Sequence, residues 1–503
     1  MTATLPNGSG QPPDTGTHAR GGGVSLVMLL AGSLLVGFSM GQWLAPLAAW
    51  IGPVLIMRYS RDHKAGRGYL FVLPALVLAF IIGFGAMWTY FGPPAVPIFA
   101  VLFGWLWSLP YLADRLVASR LGGFSSTLVY PLAATTLEFL IIHVNPVGTW
   151  GATGFSQYGN LPLMQLASVT GMIGMTFVMG WFASVANWAW ENQTRGRLML
   201  RGVAVFGTVL AVVLAFGFVR LNLASSGETI RVAGITAEGS DAVEARMADA
   251  PDTAAIREIV ESLWAAYFDE TVREAQAGAK VVTWPEQAGW TSFSDQAASL
   301  LARAQDVARQ NGIYLAIGLW NENLDTGEPK ENKFVLIDPT GAIVIDHIKY
   351  GGIFDHLRGE RTLQAVATPF GVVSGVICWD LDFPAVIQKT GLNDTALILV
   401  PSRDWREIDP AHSQMAVFRA IENGMSVVRQ TDKGLSIASD PYGRTLAQTD
   451  FFDTTDRTMV AQVPVQHVAT VYTAFGRWFE WLSLVGFLYV VARALMARRV
   501  DQM

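Results

Sequence analysis

The sequence predicts an α/β domain attached to a multi-span transmembrane helical domain, and three observations predict it. Apolar residues make up 51% of the 503-residue chain and charged residues only 15%, whereas soluble domains carry roughly 25% charged residues. The deficit is uneven: long apolar runs fill 24–222 and 477–496, while 229–468 has an ordinary soluble composition. Within 229–468, compact β-branched runs alternate with segments of helical periodicity, the pattern of a layered α/β domain.

Residues 1–23, "MTATLPNGSGQPPDTGTHARGGG", are rich in Gly, Pro, Ser and Thr and read as a disordered tail. They are too polar and too long for the basic segment of a cleavable signal peptide. A crossing helix needs about 20 residues, and apolar runs of that order lie near 24–40, 43–57, 69–91, 93–113, 124–143, 161–189 and 202–219, then 477–496. About eight spans follow, the first two being either a re-entrant hairpin or two short helices. Arg58, Arg61, Lys64 and Arg67 follow the second span, Arg115 and Arg120 the fourth, and Arg195, Arg197 and Arg201 the sixth. Arg498 and Arg499 follow the last, whereas "FGPP" and "NPVGTWGATGFSQYGN" carry no charge. By the positive-inside rule both termini are cytoplasmic and the 229–468 domain lies outside the inner (cell) membrane, between spans seven and eight.

In that domain "TIRVAGIT" reads as a strand. Residues Ile256, Ile259, Val260, Leu263, Trp264, Tyr267 and Phe268 recur at three- and four-residue spacing and predict an amphipathic helix. "KVVTWPE" reads as a buried strand ending at Pro285, and "SDQAASLLARAQDVARQNG" as a helix closed by Gly312. "IYLAIGLW" is a strand, and "KFVLIDPTGAIVIDHIK" a hairpin turning at 339–341. "GVVSGVICW" and "ALILVPS" are strands, "PAHSQMAVFRAIENG" is a helix, and "MSVVRQT" and "LSIASDPYGRTLAQT" complete the series.

Cys378 is the only cysteine. It permits no internal disulfide and leaves too few thiolates for an iron–sulfur or structural zinc site. The spacing of His347, His356 and His412 matches no compact metal-ligand pattern, so no metal or other cofactor is expected. The net charge of −6 gives no reason to expect nucleic acid. A lone cysteine is by default a small core hydrophobe. Cys378, however, ends a predicted strand, as do Glu286 and Lys349. A cysteine nucleophile needs a base or cation to favour its thiolate, and attack on an acyl carbonyl creates an oxyanion that needs fixed donors or a cation. Glu286, Lys349 and Cys378 supply those chemical types.

Three local sequences, "TWPE", "HIK" and "ICWD…FP", resemble in that order the motifs of the nitrilase, or carbon–nitrogen hydrolase, superfamily. "RAIENG", "VVRQTDKGLS" and "DPYGR" extend the resemblance over 229–468. With "PLMQLASVTGMIGMTF", the "LEFL" of span five and the placement of the domain between the last two spans, the chain resembles the apolipoprotein N-acyltransferase family nearly throughout. The resemblance implies a nitrilase-like αββα sandwich. It implies Glu286 as general base, Lys349 as oxyanion stabiliser, Cys378 as nucleophile and the Trp379 N–H in the oxyanion hole. It also implies a phospholipid acyl donor, a Cys378 thioester and transfer to the α-amine of a lipoprotein's diacylglyceryl-cysteine, by a monomer in the membrane.

Two stretches depart from that family. Where it has Leu-Val-Pro-Phe-Gly-Glu after its lysine, this chain has "KYGGIFDHLRGE", with Leu357 eight positions beyond Lys349; Asp355 and Glu360 are the candidate replacements, and Glu360 is taken as the supporting acid. Where the family has Cys-Tyr-Glu, this chain has Cys378-Trp379-Asp380. Phe354 and Trp405 are candidate substrate-binding residues, Phe354 on a loop expected to dip among acyl chains. Glu138, inside span five, is a third, with an interfacial or structural role the alternative. Glu422 is expected to fix the end of a helix. Two other readings stay open: a membrane-anchored amidase or nitrilase, in which water resolves the thioester, and a catalytically silent membrane scaffold.

Overall fold

The computed structural model describes residues 22–224, 227–237, 240–351 and 363–500. The assignments made above for Phe354, Asp355, His356, Leu357 and Glu360, for the tail up to residue 21, and for the side chains of Arg498 and Arg499 lie outside what is described.

The described residues of the 229–468 region hold thirteen strands: β1 (Thr229–Gly234), β2 (Val281–Thr283), β3 (Gly289–Thr291), β4 (Tyr314–Asn321), β5 (Glu331–Ile337), β6 (Ile343–Ile348), β7 (Ala365–Thr368), β8 (Gly371–Gly375), β9 (Thr395–Arg403), β10 (Ser426–Asp432), β11 (Leu435–Ser439), β12 (Thr445–Asp450) and β13 (Met459–Pro464). They form two mixed sheets. One runs β13-β1-β2-β4-β5-β6, with β3 also on β4; the other runs β12-β11-β10-β9-β8-β7. Parallel pairs β1–β2, β2–β4, β9–β10 and β8–β9 occupy the sheet centres, and β3 also lies parallel to β4; strands buried there on both faces read as continuous apolar runs. "ALILVPS" in β9 is such a run, and all of its residues are buried.

The inner faces meet in one core, with Val232, Val281, Ala316 and Leu336 from the first sheet against Val373, Leu397, Leu399 and Val428 from the second. Helices Thr253–Gln276 and Ser294–Asn311 cover the outer face of the first sheet through Val260, Leu263, Trp264, Phe268, Leu300 and Ala304. Helices Pro384–Leu392 and Ala411–Asn423 cover the second through Ile387, Ala416 and Ala420. The result is the four-layer αββα arrangement. Helix boundaries follow ordinary capping. Asp252 accepts a hydrogen bond from the Ala255 N–H at 2.9 Å, and Gly312 and Gly424 take left-handed backbone at the two C-termini. The sequence reading missed β13, which pairs with β1 and closes that sheet edge.

The membrane part contains apolar helical segments at all eight expected places, but they are not eight equal spans. Among the described residues, five helices are long and apolar enough to cross a membrane: Ala65–Phe91, Ala95–Leu121, Phe124–Val144, Gly196–Asn222 and Trp478–Ala497. The first two segments are separate 17-residue helices, Gly22–Phe38 and Pro46–Asp62. A Cβ on Gly32 would stand 3.0 Å from the Gly52 carbonyl oxygen, so glycine permits this close backbone approach. The expected span 161–189 is broken: Leu161–Thr170 and Ile173–Glu191 meet at 116°. Gly171 turns the chain with φ +69°, where a Cβ would meet the Tyr472 ring at 2.7 Å. At the break the Met172 N–H donates to Glu422 Oε1 at 2.8 Å. Glu422 does fix a helix end, but that of Ile173–Glu191 in the membrane domain rather than that of its own helix. Its other oxygen takes Arg419 at 2.6 Å.

The basic loops gather on one face: Arg61 pairs with Asp114 through two hydrogen bonds of 2.8 and 2.7 Å and approaches Glu191 at 3.5 Å. Helix Ala65–Trp88 runs from that face to the opposite one, where the α/β domain sits. There Tyr90 stacks on Trp405 at 4.6 Å, Trp150 Nε1 donates to Asp382 Oδ2 at 3.1 Å, and the Thr149 N–H donates to the Asp382 carbonyl at 3.0 Å.

Candidate active site

Three strand ends converge. Glu286 follows β2, Lys349 is the first residue after β6, and Cys378 lies three residues beyond β8. All three side chains are buried. Lys349 Nζ donates to Glu286 Oε1 at 2.7 Å, and Asn332 Nδ2 donates to the same oxygen at 2.8 Å. The Arg403 N–H donates to Oε2 at 3.1 Å. Both carboxylate oxygens are thus held in place, and the lysine is fixed at its backbone too, its N–H donating to the Asn332 carbonyl at 2.9 Å.

Cys378 begins the short 3-10 turn Cys378–Asp382 with φ +43°. A non-glycine residue in that region costs about 1–3 kcal/mol and persists only where the surroundings enforce it. Asp380 does the enforcing. It is fully buried; its Oδ1 accepts the Tyr350 and Gly351 N–H groups at 2.7 and 2.6 Å, and its Oδ2 accepts the Ile377 N–H at 3.1 Å and faces His347 Nε2 at 2.9 Å. One carboxylate therefore ties the turn carrying Cys378 to the chain just after Lys349. The thiol donates to the Arg403 carbonyl at 3.6 Å. Burial first, and then the Glu286 carboxylate, push its pKa well above the ordinary value, while Lys349 and Arg429 pull it down.

Glu286, Lys349 and Cys378 line a cavity of about 230 Å³ together with Tyr90, Trp320, Trp379 and Trp405. Three of its lining residues carry buried polar atoms, Asn332 Oδ1 and the indole N–H groups of Trp320 and Trp405, that have no hydrogen-bond partner among the described residues. A second cavity of about 230 Å³ shares Trp379 and Trp405 with the first and extends between helices Ala65–Trp88 and Ala95–Ala113, lined by Phe80, Phe84, Trp88 and Phe103. Its walls are almost wholly apolar.

Of the residues singled out from the sequence, Glu286, Lys349, Cys378, Trp379 and Trp405 meet at this site. Glu138 does not. It is buried in the membrane domain, where Oε1 accepts from the Thr153 N–H at 2.9 Å and from the Thr153 hydroxyl, and Oε2 accepts from Thr176 Oγ1 at 2.8 Å. That pattern pins the 153–157 turn to helix Ile173–Glu191 and gives Glu138 the structural role. Asp380, Asn332, Tyr90 and Arg429 were missed. Arg429 carried a signal: arginine inside an otherwise apolar strand is almost never buried unless paired.

Cys378 Sγ, an Asp404 oxygen and a His412 ring nitrogen lie within 4.8 Å of one another, the spacing of a ligand set. Both Asp404 oxygens already accept from the Arg429 guanidinium at 2.9 Å, and His412 Nδ1 adds a 2.7 Å bond. The site therefore already holds a cation, the guanidinium, where a metal ion would sit.

Residues 30–185 match the family described as apolipoprotein N-acyltransferase N-terminal domain, and residues 250–472 match carbon-nitrogen hydrolase. The chain is 24% identical to the apolipoprotein N-acyltransferase of Geobacter metallireducens, over 94% of this chain and 96% of that one. It is 25% identical to that of Methylococcus capsulatus, over 90% and 93%. Among solved structures, an amidase from Nesterenkonia sp. is similar at 19% identity and a TM-score of 0.40, covering 51% of this chain and 96% of the other. With both of its regions matched in order and relatives aligned nearly end to end, the chain belongs to the apolipoprotein N-acyltransferase family.

Proposed function

We propose that this membrane acyltransferase moves a phospholipid acyl chain through a Cys378 thioester to the α-amine of a lipoprotein's diacylglyceryl-cysteine. The observation that carries the reading is a pair of adjoining cavities: an apolar, aromatic-walled space between two membrane helices shares the Trp379 and Trp405 side of its lining with the cavity at Glu286, Lys349 and Cys378. An acyl chain gains about 0.8 kcal/mol per buried CH₂, so the apolar space suits the chain and the polar one its ester carbonyl.

In the first half-reaction Glu286 accepts the Sγ proton as the thiolate attacks the ester carbon. The S–C bond forms, Lys349 and the Trp379 N–H stabilise the oxyanion, and the C–O bond breaks with the proton passing from Glu286 to the departing lysophospholipid oxygen. In the second, Glu286 takes a proton from the amine as its nitrogen forms the N–C bond, the S–C bond breaks, and Glu286 returns that proton to Sγ.

Transfer and hydrolysis separate this reading from an amidase. Purified acyl-enzyme is expected to pass its chain to a diacylglyceryl-cysteine peptide faster than it hydrolyses; rapid hydrolysis with no amide product would leave the amidase standing.

The α/β domain is placed on the extracytoplasmic (periplasmic) face of the inner membrane, with both termini cytoplasmic. Support comes from the clustering of the basic loops on the face away from that domain. In a Cys378→Ala background, a cysteine introduced at Gly327 is expected to react with an impermeant thiol reagent on intact cells, and one at Lys64 is not. The reverse pattern would overturn the orientation.

A further inference from the structure

Beyond Glu286 and Lys349, a third charged group contacts the nucleophile. Arg429 lies in the middle of β10, fully buried, with Nη2 3.9 Å from Cys378 Sγ. Its guanidinium is held by a chain of fixed partners. Asp404 takes both Nη1 and Nη2 at 2.9 Å. His412 Nδ1 lies 2.7 Å from Asp404 Oδ1, and its Nε2 lies 2.9 Å from Asp382 Oδ2. Carboxylates face both ring nitrogens, and Arg429 Nη2 also lies 3.0 Å from Nδ1. Burial and Arg429 oppose charge on the ring, but Asp404 and Asp382 outweigh them and raise the His412 pKa. For Asp404 too, burial is outweighed, by Arg429 and His412, and its pKa falls below the ordinary range. The chain ends in the membrane domain, where Trp150 Nε1 donates to Asp382.

Lys349 is committed to Glu286 by an ion pair of 2.7 Å. Arg429 is a second cation, within hydrogen-bond reach of Sγ, and like Lys349 it acts to lower the thiol pKa. A cation in a site screened from water favours a neighbouring thiolate far more than one in solvent does.

We propose that Arg429 is a further catalytic residue, the counter-ion of the Cys378 thiolate, with Asp404 and His412 as positioning residues that hold it there. Arg429 exchanges no proton: Glu286 receives the thiol proton, and the guanidinium stabilises the negative sulfur both when it attacks the ester and when the amine expels it. This division of labour gives the sulfur a cation of its own and leaves Lys349 for the carbonyl oxygen. The inference rests on the reading of Cys378 as nucleophile.

Because Cys378 is the only cysteine, iodoacetamide alkylation of the full-length, detergent-solubilised protein, followed by mass spectrometry across pH, reports this thiol without any lipid substrate. Arg429→Met is expected to move the alkylation profile to higher pH and slow the reaction at neutral pH by roughly tenfold or more, the equivalent of one pKa unit. Arg429→Lys is expected to restore most of that loss. Removing Arg429 alone strands the buried Asp404 carboxylate, so the double variant Arg429→Met/Asp404→Leu, which removes the pair together, and His412→Gln are measured alongside. Each should shift the profile the same way, His412→Gln by less. A folded Arg429→Met or double variant whose profile superimposes on the parent's would overturn the proposal. Full turnover by Cys378→Ala would instead overturn the nucleophile on which it rests.

Discussion

Cys378→Ala is expected to leave the protein folded and without acyl-enzyme or amide product. The change deletes one buried atom that makes only a 3.6 Å hydrogen bond to the Arg403 carbonyl and a 3.9 Å contact with Arg429, so the packing loss is small. The chemical loss is total for a covalent route, because the S–C bond has no other atom to form on. Glu286→Gln is expected to slow acylation by about 10²–10⁴-fold, the usual worth of a general base. It also places an uncharged amide where Lys349 Nζ and Asn332 Nδ2 now donate to Oε1, so it disturbs the oxyanion cation as well. Quantifying acyl-enzyme by intact-protein mass spectrometry after incubation with phospholipid checks both. Normal turnover by Cys378→Ala would refute the covalent mechanism.

The layered α/β domain was legible because burial writes itself into sequence. The central strands of each sheet must be apolar on both faces, and helix Thr253–Gln276 must present Val260, Leu263, Trp264 and Phe268 on one side. Strand β13 was not, because "MVAQVP" carries only two β-branched residues and ends in proline, so its composition does not mark the alternation that the fold shows. The broken span at Gly171 was also hidden. Its apolar residues read straight through, and what bends it is a glycine with φ +69° and a carboxylate from 250 positions away, Glu422 on the Met172 N–H. That Glu286, Lys349 and Cys378 come together was legible from three motifs in order. The residues that hold them were not, since Asn332, Asp380 and Arg429 act through contacts between separate strands. Glu138 misled for the complementary reason. A carboxylate in an apolar helix signals function only until its partners are known, and here they are Thr153 and Thr176.

Asp380→Ala is expected to have the largest effect of any change that leaves the triad itself intact. The sequence marks Asp380 only as a departure from the family's usual glutamate after the nucleophile. In the fold it joins the two segments whose relative position defines the site, accepting from Tyr350 and Gly351 just after Lys349 and from Ile377 just before Cys378. Alanine would leave these three buried N–H groups and His347 without their acceptor, at about 1–3 kcal/mol for each unmet group. That total is comparable with the whole stability of many domains, about 5–15 kcal/mol. The strained backbone of Cys378, φ +43°, would lose the contact that fixes it. Asp380→Ala should therefore unfold at markedly lower temperature and lose acylation altogether. Asp380→Asn separates stability from positioning. Its carbonyl oxygen can keep the Tyr350 and Gly351 N–H groups, and its amide can donate to a neutral His347, so that only the Ile377 N–H is abandoned. That variant should stay folded, with acylation slowed about 10–100-fold, the scale for misplacing a catalytic group by an ångström. Thermal unfolding followed together with acylation by a soluble ester measures both effects; parent-like values of each in Asp380→Ala would show that Asp380 does not hold the site together.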